Sequence, residues 1–337
     1  MQRLRGRHKP VIQIAGIGCL ALGAALIGAF QANRGTLSAP LDTSTILAQK
    51  AARVVSLPKD TMTANYTSSD IRQSNLFQPT PRIMGTIKES EISGIATSQR
   101  SKNLFWGLED SDNGSRLYLY ASRNAQLLST YLLKNIKNDD WEELKSLSDN
   151  MGKHYLIIGE TGNNIEAPKN FQLFVIEEPR IMHSPKIITL TPRVTTFSFQ
   201  YPDSPRNCEA FIIDPITHAV YIFSKELYET RVYFSDKFSL NKNRKDTLQF
   251  IGALPLAMIV AADISADGNK ILLKSYNTIY YWEKESGASL RKTLFEAPQI
   301  LPYTPIEPEG ESICWHGRNY LTLSEKNPAI LYKYQCR

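Results

Sequence analysis

The sequence predicts an all-β fold, on three observations. Short apolar runs rich in Tyr, Phe, Ile and Val recur from residue 81 to the C-terminus, among them Arg116-Leu117-Tyr118-Leu119-Tyr120 and Ile279-Tyr280-Tyr281-Trp282. Alternation of this kind turns one face of a strand to a core and the other to solvent. The runs come in groups that restart at an acid, Glu91, Glu142, Glu209, Asp263 and Glu311, separated by 51, 67, 54 and 48 residues. Periods near 50 residues with four short strands each specify a β-propeller of four-stranded antiparallel blades. Five blades are visible, and the longest interval, where Lys186 to Tyr201 adds two strand-like runs, leaves room for a sixth.

Ahead of the repeats lies a segment of a different kind. Arg3, Arg5, Arg7 and Lys9 precede an uncharged stretch from Val11 to Ala32, the pattern of a signal peptide or an uncleaved transmembrane anchor. The cationic flank is expected to stay in the cytoplasm, which places the body outside it, membrane-anchored or, if the segment is cleaved, secreted. Cys19 offers a weaker lipoprotein alternative. Residues 33–80, rich in Ser, Thr, Asn, Gln and Pro, read as a linker or stalk with a short helix around Thr43 to Val55, and residues 81–337 as the propeller domain. Of the net charge of +6, the four N-terminal cations account for all but +2. No basic stripe interleaved with aromatics remains in the body, which argues against nucleic-acid binding.

The groups share one order: acid, strand, turn, strand, polar loop, strand. In the first, Glu91-Ile92-Ser93-Gly94-Ile95 leads to Asn103 to Gly107 and the loop Glu109 to Gly114. The second is the most distinctive, with Asp139-Asp140-Trp141-Glu142-Glu143, then Tyr155 to Ile158, then Gly159-Glu160-Thr161-Gly162-Asn163-Asn164. The third opens on Asn207-Cys208-Glu209-Ala210, the fourth on Ala262-Asp263-Ile264-Ser265 with a turn at Ala266 to Asn269, and the fifth on Gly310-Glu311-Ser312. Trp141 is expected between blades and Asn163-Asn164 in a tight turn. The fifth group has only three good strands, while Pro81 to Lys88 supplies a spare one, so the ring is expected to close by docking that strand on the last blade. Of Cys208, Cys314 and Cys336, the last two are the pair to test for a disulfide, against the alternative of three unpaired side chains.

The first strand of a propeller blade lines the central channel, so the leading acids Glu91, Glu142, Glu209, Asp263 and Glu311 are expected to ring the axis at one mouth. Carboxylates so close repel one another unless a cation or bound protons intervene. Hard oxygen ligands suit Ca2+ or Mg2+, with Ca2+ preferred for a loose ring of side chains. The competing expectation is that each acid accepts backbone hydrogen bonds and holds blades in register. Glu109, Asp110, Glu160, Asn163 and Asn164 fall in loops expected at the same mouth. Lys225, Lys274 and Lys326 fall in or beside the loops where earlier blades carry acids, an arrangement that suits a salt-bridged rim or a phosphate-bearing or zwitterionic ligand. No nucleophile elbow, P-loop, dinucleotide fingerprint or kinase motif is present.

Ser93-Gly94-Ile95-Ala96, Glu109-Asp110-Ser111, Asp140-Trp141-Glu142, Gly159 to Asn164, Glu178-Pro179, Asn207-Cys208-Glu209-Ala210 and Ala262-Asp263-Ile264-Ser265 resemble, in that order, a family of exported, largely uncharacterised bacterial β-propeller proteins. The resemblance covers roughly residues 85–315. It departs from the family pattern at Glu160, where Asp is expected, and at Glu109, where Asn is. The chain is more distantly similar to calcium-activated apyrases and β-propeller phytases through the blade-opening glutamates and an acidic second-strand turn. The resemblance implies the propeller fold and export, and no activity. The ring of acids points to an extracytoplasmic propeller that binds a divalent cation, Ca2+ foremost, with a small ligand or partner; the alternative is a Ca2+-dependent phosphohydrolase acting on nucleotides or other phosphate esters.

Overall fold

The computed structural model of the chain describes residues 60–111, 114–181 and 186–337. Three short strands come first: β1 (Met62–Thr63), β2 (Arg72–Gln73) and β3 (Arg82–Ile87). Blade I follows as β4 (Ile92–Thr97), β5 (Leu104–Glu109), β6 (Arg116–Ala121) and β7 (Gln126–Leu133). Blade II holds β8 (Trp141–Ser148), β9 (His154–Glu160) and β10 (Phe171–Glu177); then β11 (Lys186–Leu190) leaves the blade and β12 (Thr195–Gln200) completes it. Blade III has β13 (Ala210–Ile213), β14 (Val220–Phe223) and β15 (Thr230–Ser235), and after β16 (Arg244–Thr247) it is finished by β17 (Gln249–Leu254). Blade IV has β18 (Ile259–Ile264), β19 (Lys270–Ser275), β20 (Ile279–Glu283) and, after the single-turn helix α1 (Leu290–Leu294), β21 (Gln299–Leu301). Blade V is β22 (Ser312–His316), β23 (Asn319–Leu323) and β24 (Ala329–Tyr334), with β3 as its fourth strand.

The propeller therefore has five blades, and the ring closes as expected: β3 pairs antiparallel with β24, from Ile87 opposite Ala329 to Arg82 opposite Lys333. The sixth blade that the long interval allows does not form. Its two runs are shared out, β12 to the edge of blade II and β11 in parallel to β7 of blade I. Parallel fifth strands recur: β16 lies on β12, β1 on β17 and β2 on β21. Each added strand covers a row of otherwise open backbone groups at a blade's outer edge.

The N-terminal end of the described chain belongs to this scheme. Residues 60–80, read from the sequence as the end of a stalk, lend β1 to blade III and β2 to blade IV, and bring Phe77 to a bridge with Cys336 beside blade V. The apolar residues scattered through this polar stretch do the anchoring: Tyr66 and Phe77 are buried, and Met62 and Ile71 are packed against the core of blades III and IV. The expected anchor and the helix around Thr43 to Val55 lie outside the described residues, among which no helix is long and apolar enough to cross a membrane.

Five apolar clusters hold the ring, one in each seam between neighbouring blades. Trp141 fills the seam of blades I and II as expected, fully buried against Trp106, Leu117, Leu144 and Leu156, with its indole N–H donating to the Lys137 carbonyl at 3.1 Å. The strands nearest the axis are buried on both faces, and β13 and β14 have no exposed residue. The outer strand β7 alternates. Hairpins use the turn chemistry the sequence offers: Gly268 adopts φ +71°, and its amide donates to the Ser265 carbonyl at 2.8 Å.

The three cysteines of the described chain are free. Cys314 lies on β22 and Cys336 just beyond β24, with β23 between them. Two strand spacings, about 9.5 Å, exceed the reach of a disulfide, about 7 Å between Cα atoms.

Candidate metal centre

Strand direction decides which acids meet. β4, β8, β13 and β22 start at one mouth of the channel, and the second strands β5, β9, β14 and β23 return to it, so residues before the first and after the second strand converge there. Glu142, Glu209 and Glu311 are brought together, each offering a carboxylate oxygen within 4.8 Å of the others, and all three are buried. Asp110 and Asp140 form a second group with the same Glu142, again within 4.8 Å.

Burial and mutual repulsion shape their charge. Burial, then the carboxylates of Glu209, Asp110, Glu311 and Asp140, hold the Glu142 carboxyl well above the usual range. Burial and Glu311 push Glu209 up to about 8, although Lys225 opposes them. The Lys225 ammonium lies 2.5 Å from Glu209 Oε1 and 3.7 Å from Glu311 Oε1, over the Tyr276 ring at 5.0 Å. Tyr276 donates its hydroxyl to Glu311 Oε1 at 2.5 Å. Asn207 donates to Glu209 Oε1 at 3.3 Å and to Asn164 Oδ1 at 3.0 Å. The other oxygen of Glu209, Oε2, is buried without a partner, and no donor among the described residues reaches the Glu142 carboxylate.

The backbone beside this group makes room for it. A Cβ at Gly162 would collide with Glu142 Oε1 and lie 2.6 Å from Asp140 Cγ and 2.7 Å from Asp140 Oδ1, so two carboxylates rest on the bare Cα. Asn163 forms the expected turn: its side chain accepts from Ala167 N at 3.1 Å and donates to Ala167 O at 2.9 Å, and its amide donates to Asn207 Oδ1 at 2.8 Å.

Other expected site residues take structural posts. Glu160 accepts the amides of Asp139 and Asp140 at 3.1 and 3.2 Å and pairs with Lys169 at 2.9 Å, stapling blade II shut. Glu109 accepts from Tyr118 at 2.7 Å and pairs with Arg116 at 3.5 Å. Glu91 is exposed, with φ 57°, and belongs to neither carboxylate group. The register explains it: Ile92 stands opposite Glu109 as Trp141 stands opposite Glu160, so buried Ser93 takes the place in blade I that Glu142 takes in blade II.

Asp263 is displaced further. β18 begins at Ile259, opposite Ser275 at the acidic mouth, and Asp263 falls four residues down the strand, roughly 13 Å away. There it accepts the Trp315 amide at 2.7 Å and lines a cavity of about 370 Å3 at the opposite mouth, with Thr97, Ser146 and Ser148. Lys274 is not on the rim. It is fully buried between blades IV and V, donates to the Gly310 carbonyl, sits 4.6 Å from the Tyr303 ring centroid and faces Glu307. Burial pulls its ammonium down to about 8. Lys326 pairs at the surface with Glu309 at 2.8 Å.

Between the two mouths the channel is plugged. Glu143 and Lys145 of blade II pair at 2.9 Å and reach across to blade IV, where Glu143 accepts the Ala262 amide at 3.1 Å and Lys145 donates to the Ala262 carbonyl. Burial raises the Glu143 carboxyl to about 7 against the pull of Lys145. Sequence reasoning missed this plug and the parts played by Asp140, Gly162, Lys169 and Tyr276. Asp140 had a signal in its place beside Trp141-Glu142, whereas Lys169 and Tyr276 lie in loops with no motif.

Neither family models nor curated proteins show a match to the chain. The fold and the site thus stand on their own: a five-bladed propeller with a group of carboxylates at one mouth of a plugged channel.

Proposed function

We propose that the chain is an extracytoplasmic propeller that binds a divalent cation, Ca2+ foremost, at the acidic mouth, and that the bound cation recruits a small anionic ligand or a partner. One observation carries this reading: buried Glu142, Glu209 and Glu311 converge within 4.8 Å, yet among the described residues Glu209 Oε2 is buried without a partner and no donor reaches the Glu142 carboxylate. Buried carboxylates left bare are costly, and a cation is the partner that meets several at once. The available donors are carboxylate, carboxamide and carbonyl oxygens, with no His or Cys in either group, which suits Ca2+ or Mg2+ over zinc. The resemblance to exported propellers and the N-terminal segment support export and anchoring.

The test is elemental analysis of the purified protein with a Ca2+ melting titration. A bound cation, and a melting temperature that rises with Ca2+ and falls on chelation, support the proposal; no metal and no shift sink it. Lys225 beside the carboxylates favours a second reading, phosphate-ester hydrolysis. Phosphate release that stops on chelation and returns with Ca2+ would establish that reading, and no release from a broad ester panel would exclude it.

A further inference from the structure

We propose that the acidic mouth holds two divalent cations sharing the Glu142 carboxylate, one between Asp110, Asp140 and Glu142 and the other between Glu142, Glu209 and Glu311. This rests on the cation reading above and adds stoichiometry and a bridging residue. The two groups are separate in the fold. Asp110 follows β5 of blade I and Asp140 precedes β8 of blade II, whereas Glu209 and Glu311 open blades III and V. Glu142 is the one residue common to both.

Three observations favour a shared ligand over a single site with spare acids. Glu142 is 4% exposed and no described donor reaches its carboxylate, so both its oxygens are open to metal. Gly162 leaves Glu142 Oε1 and Asp140 Oδ1 lying together over a bare Cα, which aims one oxygen at the Asp110–Asp140 side. Glu209 Oε2 is buried and unpartnered on the other side. The charges agree. Lys169 is taken up by Glu160 at 2.9 Å and the Gly162 carbonyl at 2.7 Å, with Asp140 further off at 3.3 Å. Lys225 pairs with Glu209 and Glu311, so among the described residues the carboxyls of the two groups outnumber the ammonium groups beside them. Two divalent cations, displacing the carboxyl protons, would balance that excess better than one. A pair of cations joined by a carboxylate would engage two oxygens of one anionic group, as in a phosphate or carboxylate ligand.

Mn2+ is the probe, titrated into the purified, metal-stripped full chain by calorimetry and followed by electron paramagnetic resonance. The expected result is two equivalents with an exchange-coupled spectrum. Asp110→Asn should leave one equivalent with an isolated-ion spectrum, Glu209→Gln should leave one on the other side, and Glu142→Gln should weaken both by tenfold or more. A thermal melt of each variant confirms the fold, and Asp140→Asn serves if Asp110→Asn does not fold. One equivalent in the wild type, lost alike in the Asp110→Asn and Glu209→Gln variants, overturns the pair while leaving the cation reading intact. No Mn2+ bound at all overturns the cation reading itself.

Discussion

Gly162→Ala tests the site with a single methyl group. The new Cβ would collide with Glu142 Oε1 and lie 2.6 Å from Asp140 Cγ and 2.7 Å from its Oδ1, where ordinary contact begins near 3.4 Å. Both carboxylates must therefore retreat by several tenths of an ångström or more. The atoms in the way belong to side-chain ends, so the backbone can stay where it is and the fold should survive. Overpacking of this kind costs about 1–3 kcal/mol, which for a domain of this size lowers the melting temperature by roughly 2–10 °C. The larger effect falls on the cation, because the displaced oxygens are its proposed ligands. A loss of at least tenfold in Ca2+ affinity, about 1.4 kcal/mol, is expected from calorimetry, together with disappearance of the Ca2+-dependent rise in melting temperature. A variant that melts like the wild type in chelator and still binds Ca2+ with unchanged affinity would refute the argument that these carboxylates form the site.

Metal-free stability should fall with rising pH. Burial raises the Glu209 carboxyl from 4.5 to about 8, and Glu142 moves the same way, so between these values the folded chain holds protons that the unfolded chain has released. Stability is therefore highest near pH 4.5 to 5 and is lost toward pH 8, and saturating Ca2+ should flatten the slope in a melting series run with and without chelator. Lys274→Met leaves the Glu307 carboxylate buried without its ammonium and should destabilise the fold by about 3–5 kcal/mol below the value of about 8 at which Lys274 loses its proton, and by less as the pH falls and Glu307, whose carboxyl burial raises, takes up a proton; a series of denaturant melts against pH reads the difference. Ile87→Ala removes a buried side chain from the closing strand, in the seam of blades V and I, and should cost about 2–5 kcal/mol by the same measurement, whereas truncation of exposed Ile83 on that strand should cost much less.

The propeller was legible because its signals are local. Alternating apolar runs mark strands, polar clusters mark turns, and the interval between groups marks blades, so the ring and its closing strand could be named in advance. The site was legible in part. Glu142, Glu209 and Glu311 sit at corresponding entries to their blades, and their convergence followed from the repeat. Glu91 and Asp263 look alike in the sequence but fail for reasons of register. In blade I the place of Glu142 falls to Ser93, and in blade IV the first strand begins four residues before Asp263. A strand carries no mark of where it enters the channel, and one residue of offset turns a side chain to the other face.

What the sequence determined by itself is the architecture: a propeller of five or six blades with a period of about 50 residues and an acid near most blade entries, the count of five being settled by where β11 and β12 pair. What only the tertiary structure decided is which charges share space. Lys225 and Lys274 hold matching places after and within second strands, yet one reaches the mouth and the other is sealed against Glu307. Asp110, 32 residues before Glu142, becomes its neighbour, while Glu143, beside it in the chain, turns away to plug the channel. Strand periodicity follows from backbone geometry acting over a few residues. The meeting of five carboxylates depends on closing a ring of five blades, and no local pattern encodes that.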